Sequence, residues 1–109
     1  MTTNNYKIKI LNKAVKPMYT SEKTIMVAND ITSRNIGNFT FHIQSVESDV
    51  YFEKDDRNIN AKSILGILSL SIMPMSTINV KVINKESIEK AKSDLKKVLA
   101  FFEIEVGTI

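Results

Sequence analysis

The sequence predicts an α+β domain, an open-faced sandwich in which a four-stranded antiparallel sheet is covered on one face by three helices. Three observations carry that prediction. Ile88, Ala91, Leu95, Val98, Leu99 and Phe102 step by three and four with lysines and acids between them, the period of a helix with one buried face. Ile78, Val80 and Val82 alternate with polar residues, the period of a strand with one buried face. Val50 and Phe52 precede Asp55, Asp56, Arg57 and Asn58, and Ile59 follows them, which is a hairpin signal. A chain of 109 residues buries one core of moderate size and not a second, so all these elements share it.

In chain order, residues 1–20 read as an N-terminal extension. Tyr6, Ile8 and Ile10 alternate there with lysines as one short strand, and Pro17 separates them from the main pattern. Residues 21–103 form the domain. Thr24 to Val27 is its first core strand, and the polar loop Asn29, Asp30, Thr32 and Ser33 supplies caps for a helix. That helix runs from about Ser33 to Ser45, with Ile36, Phe39 or Thr40, and Ile43 on its buried face. After the hairpin comes a second helix opened by Ser63. Pro74 then breaks the chain between Met73 and Met75, and Asn84 closes the strand that follows. Residues 104–109 are a tail. Glu103 and Glu105 alternate with Ile104 and Val106, opposite in charge to Lys7 and Lys9, so the two ends suit pairing as extra terminal strands within one molecule or between two subunits. Frayed ends are the alternative.

Composition closes off several functions. Without cysteine there is neither disulfide nor thiolate chemistry, and with a single histidine a metal site would need carboxylates that show no ligand spacing. No cofactor is expected. No stretch approaches the roughly 20 apolar residues of a membrane span, and Met1 to Tyr6 is polar where a secretory signal starts basic and apolar. A cytoplasmic protein with no membrane partner is therefore expected. The net charge of +3 is uneven: residues 1–23 carry Lys7, Lys9, Lys13, Lys16 and Lys23 against Glu22 alone. Those lysines form no dense block and come with no aromatic stacking platform, so direct nucleic-acid binding is not expected. No catalytic triad, phosphate-cradling glycine loop or acid and base pair is present, which argues against an enzyme.

The most informative run is Ile59 to Ile72, I-N-A-K-S-I-L-G-I-L-S-L-S-I. Ser63 can cap a helix about ten residues long, around which Ile64, Leu65, Ile67, Leu68, Leu70 and Ile72 point in every direction. One sheet-facing stripe cannot use them all, so Ile64, Leu65 and Leu68 are expected to form a partly exposed docking patch rather than core. Read alone, Ser63 is an ordinary cap, stabilising by about 1 kcal/mol over alanine.

The residues Asn60, Lys62, Ser63, Ile64, Leu65 and Gly66, with Ser69, Leu70 and Ile72 after them, resemble the regulatory-serine segment of HPr, the small phosphocarrier family of the bacterial sugar phosphotransferase system. The likeness runs without gaps from about Glu22 to Ile83, and it implies the HPr-like open-faced β-sandwich. The family's second signature, a G-[LI]-H-A-R-P-A loop, is matched here by D-I-T-S-R-N-I. Asp30 stands for the glycine, Thr32 for the phosphate-carrying histidine, Ser33 for the alanine and Asn35 for the proline. Arg34 keeps the family type. A threonine hydroxyl lacks the nucleophilicity of imidazole without a base, and its phosphate ester transfers poorly. Asp30 would also repel a phosphoryl group. The sole histidine, His42, lies ten positions on within the helix, about 15 Å along its axis, and is no replacement.

The resemblance therefore implies a regulatory binding protein without histidine phosphotransfer, similar to the Crh-like members. These are phosphorylated on serine by the HPr kinase and bind the catabolite control repressor. Ser63 would be the phosphorylated residue, and Arg34, Lys62, Ile64, Leu65 and Leu68 the partner-binding ones; such a kinase, that repressor or another regulator would be the partners. Phosphate on Ser63 would add about two negative charges beside Lys62 without unfolding the helix. Arg34 either keeps an ancestral role in anion binding or forms a weak surface ion pair with Asp30. Two alternatives stand: a phosphocarrier still served by the first enzyme of the system, or an HPr-fold interaction subunit without phosphate chemistry. Monomer and strand-exchanged dimer are both open.

Overall fold

The computed structural model describes residues 18–107, with side chains through Phe102. Its elements are β1 (Tyr19–Met26), α1 (Ile36–Gln44), β2 (Asp49–Lys54), β3 (Arg57–Asn60), α2 (Ile64–Ser69), β4 (Thr77–Asn84) and α3 (Ile88–Gly107). The four strands form one antiparallel sheet in the order β1-β4-β2-β3. Ile78, Val80 and Val82 of β4 and Val50 and Phe52 of β2 are buried under the helices. Phe39 of α1, Phe52 of β2 and Phe102 of α3 join that core, with Phe39 and Phe52 edge to face at 5.6 Å between centroids. On the other face of the sheet Asn79 Nδ2 donates to Glu22 Oε1 and to Glu53 Oε1, each at 2.8 Å, a polar ladder suited to water. This is the expected open-faced α+β arrangement.

Boundaries differ from expectation for local reasons. The first strand is longer than Thr24–Val27, because Tyr19 to Thr24 also pair residue for residue with β4. α1 starts at Ile36 instead of Ser33, since Asn35 N–H closes a turn onto the Thr32 carbonyl at 3.1 Å before the helix begins. α2 is only six residues long: Leu70 is its C-cap, and Ser71 takes a left-handed φ of 53° that turns the chain away. The hairpin turn is Asp55-Asp56 with φ of 52° and 64°, a tight form that short acids tolerate, so Arg57 and Asn58 pair as strand.

The C-terminal tail requires a correction. The expected strand-like tail from Glu103 is helical to Gly107, a continuation of α3. Adding residues to a formed helix is cheaper than starting another element, and E-I-E-V is too short for its alternation to oppose this. Ladder pairing of the two chain ends therefore loses one partner. The expected strand at Tyr6–Ile10 lies outside the described residues. Among the described residues, no helix is long and apolar enough to cross a membrane.

Candidate functional site

Asn60, Ser63, Gly66 and Ser69 of the serine motif each have a local structural task. Asn60 Oδ1 accepts from Lys62 N–H at 2.8 Å and the Asn60 carbonyl from Ser63 N–H at 3.0 Å, which turns the chain from β3 into α2. Ser63 caps the helix, its Oγ accepting from Gly66 N–H at 3.2 Å. Gly66 has no room for a side chain: a Cβ there would lie 2.6 Å from Ile59 Cγ2 and 3.0 Å from Ser63 Oγ. At the far end, Arg57 donates to the Ser69 carbonyl and to Ser69 Oγ, both at 2.8 Å, satisfying a terminal carbonyl of α2. Sequence reasoning placed Arg57 only in the turn; its favourable position opposite a helix C-terminus needed the hairpin register.

α2 divides its apolar residues between core and water. Ile67 is fully buried, as is Ile72 beyond the helix, and Leu70 is nearly so. Ile64 and Leu65 are 46% and 80% exposed, Lys62 and Ser63 are exposed, and Leu68 is half-buried. Ser63, Lys62, Ile64 and Leu65 thus lie together on solvent-facing surface, with Leu68 at its margin.

The loop before α1 is held differently. Asn35 Oδ1 accepts from Thr32 N–H at 2.8 Å and Asn35 Nδ2 donates to the Asp30 carbonyl at 2.9 Å, while Ile31 is buried. Asn35 stands at the helix N-cap, yet its side chain turns back to brace the loop. The half-buried Thr32 accepts from Arg34 N–H on its Oγ1 at 3.3 Å. Among the described residues that hydroxyl donates no hydrogen bond to a basic group. Arg34 is exposed, and no ion pair joins it to Asp30 among the described residues. His42 bonds through Nε2 to the Lys97 carbonyl and lies 5.7 Å from the Phe101 ring, so it ties α1 to α3.

The two regions are joined by the segment after α2. Ile31 N–H donates to the Ile72 carbonyl at 2.9 Å, Met75 N–H to the Val27 carbonyl at 2.8 Å, and Val27 N–H to the Ser76 carbonyl at 2.9 Å. The stitching holds Met75 at a left-handed φ of 74° and leaves its side chain 71% exposed, with Met73 and Met26 also exposed. Sequence reasoning missed these methionines. Two large apolar residues around Pro74, in a turn too short to bury both, were the available signal. Flexible, polarizable thioethers adapt to varied partner surfaces, which makes these exposed methionines further candidates for contact with a partner.

Comparison with known proteins agrees with the motif. The family model described as the PTS HPr component phosphorylation site matches residues 19–101. The HPr-like protein Crh of Halalkalibacterium halodurans is 27% identical over 88 residues, covering 81% of this chain and 100% of the relative. Among solved structures, HPr-C-His from Thermoanaerobacter tengcongensis superposes with a TM-score of 0.64 at 26% identity, covering 80% of this chain and 96% of that one. Crh from Bacillus subtilis, described as a swapped-domain dimer, gives 0.57 at 26% identity, covering 74% and 86%.

Proposed function

The chain belongs to the HPr family of the phosphotransferase system, and we propose that within it this protein is a regulatory binding module of carbon catabolite control rather than a histidine phosphocarrier. It acts through the α2 surface and through phosphorylation of Ser63. The observation that carries this reading is the exposed Ser63 hydroxyl, set beside the outward Ile64 and Leu65 on a helix otherwise anchored by Ile67. Phosphate there would place about two negative charges next to Lys62 and change which partners can approach the apolar patch. Partners of this reading are a kinase of the HPr kinase type and a repressor or other regulator that docks on Lys62, Ile64, Leu65 and Leu68, with Arg34 at the neighbouring loop.

Thr32 supports the loss of relay chemistry, since the sequence resemblance aligns it with the family's histidine and its hydroxyl donates to no base among the described residues. His42 is engaged between α1 and α3 and does not take over. Incubation with an HPr kinase and ATP, followed by intact-mass measurement, tests the switch: wild type gains one phosphate and Ser63→Ala does not. An unchanged wild-type mass removes the switch and leaves the docking surface alone. An acid-labile mass gain with phosphoenolpyruvate and the first enzyme of the system would instead restore the phosphocarrier reading.

A further inference from the structure

β1 is a sheet edge with unusual exposure. It runs for eight residues, pairs with β4 in unbroken register, and carries no strand on its other side among the described residues. β3, the opposite edge, has only four residues. Proline and bulges commonly blunt such edges, and β1 has neither, so its outward N–H and C=O groups are a template for another strand.

Directly beside this edge, between β1 and α3, lies a groove of about 490 Å³. Leu95 and Leu99 form its nearly buried floor; Ser21, Lys23, Lys92 and Lys96 line the rest. Lys23 pairs across the sheet with the buried Val80 and so stands on the helix-covered face. Of the α3 lysines, Lys90 is bonded to Glu47 at 2.6 Å and Lys97 approaches Asp94 at 3.7 Å. The two that line the groove, Lys92 and Lys96, hold no acid among the described residues, nor does Lys23. Lys92 and Lys96 are also four apart on one helix, a like-charge spacing that works against it.

We infer that the β1 edge and the β1–α3 groove form a second docking site, which takes an acidic, extended segment of another protein as an added strand. Its backbone would pair with β1, and the side chains of its groove face, apolar and acidic in turn at every second residue, would cover Leu95 and Leu99 and meet Lys23, Lys92 and Lys96. Charge selects this occupant. A second copy pairing through its own β1 would bring the same lysines together. The chain's own residues 1–17 carry Lys7, Lys9, Lys13 and Lys16 and no acid, so their charge is of the wrong sign to be the occupant. The site is at the edge opposite β3, against which α2 packs, so it leaves the Ser63 surface open.

The test is an NMR titration of the full chain with two capped nonapeptides, one carrying glutamate and valine in turn at every second position with threonine between, and one carrying lysine in place of each glutamate. The glutamate peptide should shift amides of β1 and of Lys92 to Leu99, leave Ile64 to Ser69 unmoved, and slow hydrogen exchange along β1. Its affinity should fall roughly tenfold in Lys92→Glu/Lys96→Glu and in Lys92→Gln/Lys96→Gln to a lesser degree, and fall with salt as screening shortens to about 8 Å. Both doubles alter surface residues, and amide spectra of each confirm the fold. Equal binding of the lysine peptide, shifts confined to α2, or affinity unchanged in the glutamate double would overturn the proposal. So would flotation of the protein with phosphatidylglycerol vesicles without any peptide response, which would assign the lysines to a lipid surface.

Discussion

The turn at Asn60–Gly66 and the loop at Asp30–Asn35 both lead into helices, and they solve that problem with different residues. In the turn, Asn60 and Ser63 bond backbone N–H groups, and Gly66 gives way to Ile59 and the Ser63 hydroxyl. In the loop, the Asn35 side chain alone ties Asp30 to Thr32, and the Thr32 side chain does no more than accept from Arg34 N–H. The fold therefore constrains the serine motif nearly residue by residue, while the loop is free to change its chemistry once Asn35 braces it. Retention of N-A-K-S-I-L-G is a weaker sign of phosphorylation than its specificity suggests, because packing demands much of it. What packing does not demand is the outward Leu65, 80% exposed, and this residue weighs most for docking.

Gly66→Ala is the sharpest way to break the comparison. Alanine gains about 1 kcal/mol of helix propensity over glycine, so an open position would be stabilised. Here the added Cβ meets Ile59 Cγ2, on a stiff β-branched side chain that is already half-buried. Overpacking should win, with a net loss of about 1–3 kcal/mol in denaturant unfolding. A stabilised variant would mean that packing does not require the glycine, and would shift the motif's explanation toward its partners. Asn35→Ala comes next, at about 1 kcal/mol, since it strips both the Thr32 N–H and the Asp30 carbonyl of a partner that water replaces in part. Its amide signals should change in the loop and at Ile72, to which Ile31 is bonded, and remain in place at Ser63.

The sandwich was legible because its periods were clean: Ile78 to Val82 alternates and Ile88 to Phe102 steps by three and four, and the structure buries Ile78, Val80, Val82, Ala91, Leu95, Val98, Leu99 and Phe102. Helix ends were less legible. The start of α1 depends on Asn35 turning its side chain backward, and the end of α2 on a serine in a left-handed conformation, neither of which composition announces. Excess apolar residues on α2 revealed Ile64 and Leu65, because a six-residue helix has only one inner face. They could not rank Leu68, which the structure leaves half in and half out. Met26, Met73 and Met75 escaped notice because their exposure follows from backbone bonds between distant segments, Val27 with Met75 and Ser76, that no local pattern encodes.

The smallest expected effect comes from an ion pair outside both regions. Glu47, before β2, bonds Lys90 of α3 at 2.6 Å, and the contact holds the Glu47 carboxyl below its ordinary range and the Lys90 ammonium above its own. A lowered acid stabilises the fold above its unfolded value, about 4.3, and loses that contribution as pH falls through the folded value. A raised base stabilises below about 10.4 and loses its share as pH rises through the folded value. Between those limits the pair's contribution is flat. Glu47 is exposed and Lys90 partly so, and solvent screening keeps the contribution small. Lys90→Met should lower the melting temperature less than either turn variant does, and only near neutral pH, with the difference from wild type vanishing in acid. Neither Asn35 nor Ser63 titrates, so the losses from Asn35→Ala and Gly66→Ala should persist at low pH. If instead those two losses faded in acid along with that of Lys90→Met, charge near the loop, Asp30 first, would be bracing the helix starts in place of the amide and hydroxyl bonds.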